Sequence, residues 1–130
     1  MLNLPTTSSE IMVVTGSGVS SIAVHASFID VTAGSNNTVP GALNTLITTA
    51  TSTVVVPSPA PTVDRNVKFL SLQNTSNVSC LVTVLHTDGV SLIPLLPPLT
   101  LLSGYTLQYD TDGNSFVLYD TSGRRLQAVN

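Results

Sequence analysis

Few residues in this chain could do chemistry: two histidines, His25 and His86, a single cysteine, Cys80, and seven acids. A hydrolytic triad would draw on Ser17, on His25 or His86, and on Asp30 or Asp88. A nucleophilic serine of that kind needs a strained turn between strand and helix, and Gly16-Ser17-Gly18 neither opens a helix nor has the GxSxG spacing. A metal site would need His25 and His86 to meet in space with a carboxylate, yet neither lies in an HxH or HExxH arrangement. Histidines making ordinary hydrogen bonds on strands or turns are the simpler reading. Residues 110–114 (DTDGN) set oxygen ligands at alternate positions, Asp110, Asp112 and Asn114, in the manner of a calcium loop. The glycine there falls at the fourth place rather than the sixth, and Thr121 stands where the bidentate glutamate belongs, so a hairpin turn is the stronger reading. The remaining acids are scattered and give no acid/base pair. The expectation is a protein that is not an enzyme, with no cofactor and no resident metal.

Cys80 lies between polar and aliphatic residues that read as strand, which points to a buried, inert thiol rather than a nucleophile. A lone cysteine also excludes a disulfide within one chain. Tyr105, Tyr109, Phe116 and Tyr119 crowd the C-terminal third and could line a sugar-binding face. Aromatic pairing across a hairpin is the structural reading of the same residues. Asn36, Asn74 and Asn77 each begin a glycosylation tripeptide, which matters only in a secreted eukaryotic protein.

Residues 66–119 organise the chain. Residues 66–75 (NVKFLSLQNT), 79–86 (SCLVTVLH) and 105–109 (YTLQY) are strand-like, and they are separated by turn formers rather than by helix. Asp88-Gly89 and residues 110–114 supply reversals, because Gly tolerates positive φ and Asp or Asn can hydrogen-bond its own turn. Residues 105–119 therefore read as a β-hairpin. Upstream, residues 10–15 form a first short strand ended by Gly16 and Gly18. Ile22, Val24, Ala26 and Phe28 alternate with Ala23, His25 and Ser27 at the period of a strand with one buried face. Residues 32–41 carry loop chemistry, and 43–56 read as a strand stopped by Pro57, Pro59 and Pro61, whose stiff path should cross between sheets. Pro94, Pro97 and Pro98 confine residues 90–102 to an edge strand or a bend. Residues 120–130 read as a tail or a last edge strand. The sum is all-β: one β-sandwich domain over 10–130, jelly-roll-like, with about eight short antiparallel strands, preceded by an extended N-terminal arm over 1–9.

Composition narrows the class further. Of 130 residues only 8% are charged while 42% are hydrophobic, against about 25% charged in ordinary globular proteins. A chain so poor in charge is expected to cover part of its surface with other subunits. Four fixed cations and a net charge of −3 exclude nucleic acid as a partner, since that needs clustered Lys and Arg. The N-terminus lacks the basic start and apolar run of a secretory signal, so cytoplasmic synthesis is expected. Residues 90–102 are too short, and too broken by proline, to reach the roughly 20 residues that span a bilayer.

Residues 21–30 (SIAVHASFID), 66–74 (NVKFLSLQN), 82–89 (VTVLHTDG) and 102–109 (LSGYTLQY) together resemble small β-rich virion proteins of tailed bacteriophages, capsid decoration or cement proteins among them. The likeness runs in order over about residues 20–123. It implies a virion protein, made in the cytoplasm of a bacterial host, that binds the outside of the head as a homotrimer and stabilises contacts between major capsid subunits. A tail or fibre component, with receptor or glycan binding, is the alternative. Under this reading the contacts fall on the N-terminal segment (Leu2, Leu4, Pro5) and on the 31–42 loop (Asn36, Asn37, Val39, Pro40); the leucine-proline stretch (Leu95, Leu96, Pro97) departs from the more polar family segment, and its uncharged leucines suit either a subunit interface or an interior crossing.

Overall fold

The structure, a computed structural model, describes residues 2–5, 7–16, 18, 21–35, 37–110 and 115–129, with only the main chain of 127–129. Twelve strands and no helix occur among the described residues: β1 (Leu2–Leu4), β2 (Glu10–Thr15), β3 (Ile22–Thr32), β4 (Thr38–Ile47), β5 (Ser52–Val56), β6 (Val63–Asn74), β7 (Cys80–Thr87), β8 (Leu92–Pro94), β9 (Leu99–Leu101), β10 (Thr106–Asp110), β11 (Ser115–Tyr119) and β12 (Arg125–Val129). They form two antiparallel sheets. The larger runs β12-β11-β10-β6-β3-β4, with β1 beside β6; the smaller runs β5-β2-β7-β8, with β9 also on β7.

Both sheets feed one apolar core. Ile22, Val24, Leu70, Leu72 and Leu107 come from the larger sheet, and Ile11, Val13, Val82, Val84 and Leu101 from the smaller. These positions alternate along their strands, as the pleat requires when one face is buried. The expected hairpin is present, with Tyr109 opposite Phe116 and Leu107 opposite Leu118. Tyr109 and Phe116 also stack at 5.2 Å between ring centroids.

The strand count exceeds the expected eight for identifiable reasons. Residues 38–41 continue a strand instead of a loop, because β4 lies at a sheet edge, where Pro40 needs no ladder partner on its open side. β3 ends at Thr32 and β4 begins at Thr38. The run 43–56 breaks at 48–51, where the chain leaves the larger sheet for the smaller. Thr15 holds that crossing: its Oγ1 donates to the Thr49 carbonyl at 2.9 Å and its N–H to that of Thr51 at 3.0 Å. The proline segment 57–61 carries the chain back from β5 to β6. Residues 92–101 make one edge strand in two pieces, since β8 pairs with residues 85–87 of β7 and β9 with residues 80–82. Between those pieces only Leu95 reaches the ladder, donating to the Val84 carbonyl at 2.9 Å.

Two polar clusters fasten the ends of the core. Arg65 grips Asp30 bidentately at 2.8 and 3.0 Å, donates to the Pro57 carbonyl at 2.8 Å, and lies 4.1 Å over the Phe28 ring. Asn74, fully buried, donates to the carbonyls of Val78 (2.7 Å) and Leu101 (2.9 Å) while its Oδ1 accepts from Ser76.

Candidate functional site

The acid, base and nucleophile candidates do not assemble. His25 is on the outer face of the larger sheet, its Nδ1 2.6 Å from Asn44 Oδ1. His86 is on β7 in the other sheet. Asp30 is held by Arg65, and Asp88 Oδ1 accepts from the main-chain N–H groups of Ser91 (2.8 Å) and Val90 (2.9 Å), which hold its carboxyl below the usual range. Ser17, Asn36 and residues 111–114, Asp112 and Asn114 among them, lie outside the described residues. No group of three metal-ligating side chains occurs among the described residues. Cys80 is buried, and desolvation pushes its thiol pKa up. Tyr109 and Phe116 point into the core and Tyr105 packs against it, so of the four aromatics only Tyr119 is left to an outer face. Asn74 is buried, with its amide bonded, and offers no glycan acceptor.

The proposed contact residues divide. Leu4 and Leu96 are 0% and 4% exposed and belong to the chain's own core. They are corrections to the interface set: β1 is paired in register with residues 65–67 of β6, which turns the side chain of Leu4 inward. Leu2 and Leu95 are half-buried against the same core. Pro5, Asn37, Val39, Pro40 and Pro97 are exposed.

The outer faces of the two sheets differ sharply in chemistry. On the smaller sheet, Ile11 and Val13 enter the core, so Glu10, Met12 and Val14 face out. Register then places Val54, Met12, Leu85 and Pro94 side by side across four strands. Leu81 and Leu92, on the same face, are 49% and 59% exposed. Glu10 is the only charge on these strands among the described outward positions.

The larger sheet is more polar outside, although Phe69, Val117 and the exposed Leu46 also lie on that face. Asn44, His25, Ser71 and Gln108 form one cross-strand row, and Leu46, Ala23, Gln73, Thr106 and Tyr119 form the next. Short side chains at Ala23 and Ser71 leave a hollow of about 430 Å³ beneath His25, Asn44 and Leu46. A second, of about 290 Å³, lies between Gln108, Tyr119 and the turn at 120–123, and Gln73 borders both.

Sequence reading missed the apolar face, although its signal is present. Residues 11–14 (IMVV) and 81–85 (LVTVL) are nearly continuous apolar runs, whereas an antiparallel strand with one wet face alternates. No known family model matches the chain, and no curated protein or solved structure shows significant similarity to it.

Proposed function

We propose that this chain is a structural protein of a tailed-phage virion, a homo-oligomer of β-sandwich, jelly-roll-like build that binds the outside of the head and cements neighbouring capsid subunits. The observation that carries the reading is the uncharged row Val54, Met12, Leu85 and Pro94 on the outside of a sheet whose inner face already supplies the core. An apolar face of that kind gains free energy when a partner covers it, and such faces mark interaction surfaces. The resemblance of residues 20–123 to virion modules supports the same reading, as does the 8% charge content.

The size of the face suggests how it is used. Four strands about 4.8 Å apart and six residues rising about 3.4 Å each make a patch of roughly 300 Å². Two such patches remove about 600 Å², worth at most about 15 kcal/mol gross at about 25 cal/mol per Å² of apolar area, and less in proportion to the share that Glu10, Ser52, Thr83 and Thr87 take of the face. Association costs of about 4–15 kcal/mol offset most of it, and stable pairs usually bury about 1,200 Å² or more. One contact is therefore weak, and a repeated lattice in which each copy touches several neighbours supplies the avidity a single pair lacks. The exposed Val39 and Pro40, on the far end of β4, and Val90, 93% exposed, are further contact points for such a lattice.

The test is a reconstruction of particles carrying the chain, together with heat and osmotic challenge of particles lacking it. Density on the outer head at the copy number of a head lattice, and lower resistance without the chain, are expected. A tail-ring copy number, or equal survival of both particles, would overturn the cement role.

A further inference from the structure

The outer face of the larger sheet, where amides and hydroxyls alternate with apolar side chains such as Leu46, is a second surface on the opposite side of the molecule's core from the apolar one. Its two hollows adjoin at Gln73 and extend across β4, β3, β6, β10 and β11. Five strands about 4.8 Å apart make a trough roughly 19 Å across, long enough for an oligosaccharide rather than one sugar ring.

The side chains bordering the trough indicate which ligand it suits. Three neutral amides, Asn44, Gln73 and Gln108, rise from three different strands. Each carries both donors and an acceptor, so each can satisfy the paired hydroxyls of a sugar, which donate and accept together. Ser71 and Thr106 add hydroxyls between them. Tyr119 closes one end with an aromatic ring, and Asn44 and Leu46 border the other. An aromatic ring at the end of a polar groove suits the apolar face of a pyranose ring. Among the described residues no Lys or Arg lines either hollow, and Arg124, beside the second, is already paired with Asp120, so a phosphate or sulfate group would find little counter-charge there. The one acid, Asp120, is occupied: its Oδ1 accepts from the N–H groups of Ser122 and Arg124, both at 2.9 Å, and its Oδ2 pairs with Arg124. Asp120 thereby fixes the turn that walls the trough.

We propose that this trough binds a neutral oligosaccharide, with Asn44, Gln73 and Gln108 reading its hydroxyls and Tyr119 stacking on a ring. The proposal is independent of what covers the smaller sheet, because no residue is shared between the two faces.

The experiment is an NMR titration of the intact chain with maltoheptaose, tetra-N-acetylchitotetraose and a linear mannotetraose, and with a heparin hexasaccharide as the acidic control. At least one neutral sugar should shift the side-chain amide signals of Gln73, Gln108 and Asn44 saturably, with a dissociation constant of about 1 mM or tighter. Gln73→Ala and Gln108→Ala should each weaken that binding about tenfold while leaving the core signals in place. Three results would overturn the proposal: no saturable shift with any neutral sugar, binding that both variants leave intact, or binding of the heparin fragment alone. Sugar-independent shifts of these amides on dilution would also overturn it, assigning the face to a second copy of the chain.

Discussion

Replacing Leu85 by glutamate tests the apolar face directly. Leu85 sits on β7 between Met12 and Pro94, its side chain half-buried by its neighbours and facing away from the core, since Val84 beside it is fully buried. In the isolated chain the change should therefore cost no more than about 1 kcal/mol, the span of strand preferences at a surface position. In a two-fold contact the substitution enters twice. Each copy forfeits about 1–2 kcal/mol of partial side-chain burial, and each carboxylate must be desolvated against an apolar partner, at a cost of several kcal/mol. A total of about 4 kcal/mol or more weakens association about 1,000-fold. Sedimentation velocity over a concentration series reads the association, and a thermal melt reads the fold. Gln108→Glu, the same charge placed on the other sheet, is the control and should leave self-association unchanged. The reasoning is refuted if Leu85→Glu associates as the parent does, or if the parent stays monomeric at its highest soluble concentration and does not bind phage heads.

Four further outcomes concern the stability of the fold. Arg65→Met removes the grip on Asp30, whose side chain is 23% exposed. It should cost about 2–4 kcal/mol by chemical denaturation, between an exposed and a buried pair; adding Asp30→Asn should recover part of that loss. At Gly41 an added Cβ would stand 2.6 Å from Phe28 Cε2, so Gly41→Val should displace the ring from Arg65 and destabilise by about 1–3 kcal/mol. Asn74→Ala strips partners from the Leu101 and Val78 carbonyls and from Ser76, and a loss of about 2–4 kcal/mol in urea is expected. For pH, the N–H groups of Ser91 and Val90 lower the pKa of Asp88, and that of Arg124 chiefly lowers the pKa of Asp120. A folded pKa below the unfolded one stabilises above the ordinary value of 3.8 and is lost as pH falls through the folded value. Melting temperature should thus be insensitive to these two acids above about pH 5 and fall below pH 4; Asp88→Asn together with Asp120→Asn should flatten that acid limb.

The hairpin 105–119, the proline crossing at 57–61 and the broken edge at 92–101 were legible because each depends on local rules of turn and proline chemistry. The N-terminal strand was not. Leu2, Asn3 and Leu4 are too few to show a period, and their pairing with residues 65–67 is a contact between distant parts of the chain. Pro40 misled for a related reason, since a proline marks a loop unless it is known to sit at a sheet edge. Among the contact residues, Leu4 and Leu96 could not be told from exposed leucines, because hydrophobicity alone gives no direction. Met12 and Leu85 were hidden in the same way, in strands apolar on both faces.

That two-sidedness is itself informative about orientation. In the larger sheet the outward positions of β3, β6 and β10 include Ala23, His25, Ser27, Phe69, Ser71, Gln73, Thr106 and Gln108, polar except at Ala23 and Phe69. In the smaller sheet the outward positions of β2 and β7 are Glu10, Met12, Val14, Leu81, Thr83, Leu85 and Thr87, of which Met12, Val14, Leu81 and Leu85 are apolar. Water is a poor solvent for one face and a good one for the other, so a docked copy lowers its free energy by turning the smaller sheet inward and the larger outward. Attachment and ligand capture would then use opposite sides of one rigid core. The pair of variants above separates them: Leu85→Glu should release the chain from its lattice with the trough intact, and Gln73→Ala should silence the trough on a chain that still assembles. A single substitution that abolished both, with the fold preserved, would show that the two faces are not independent.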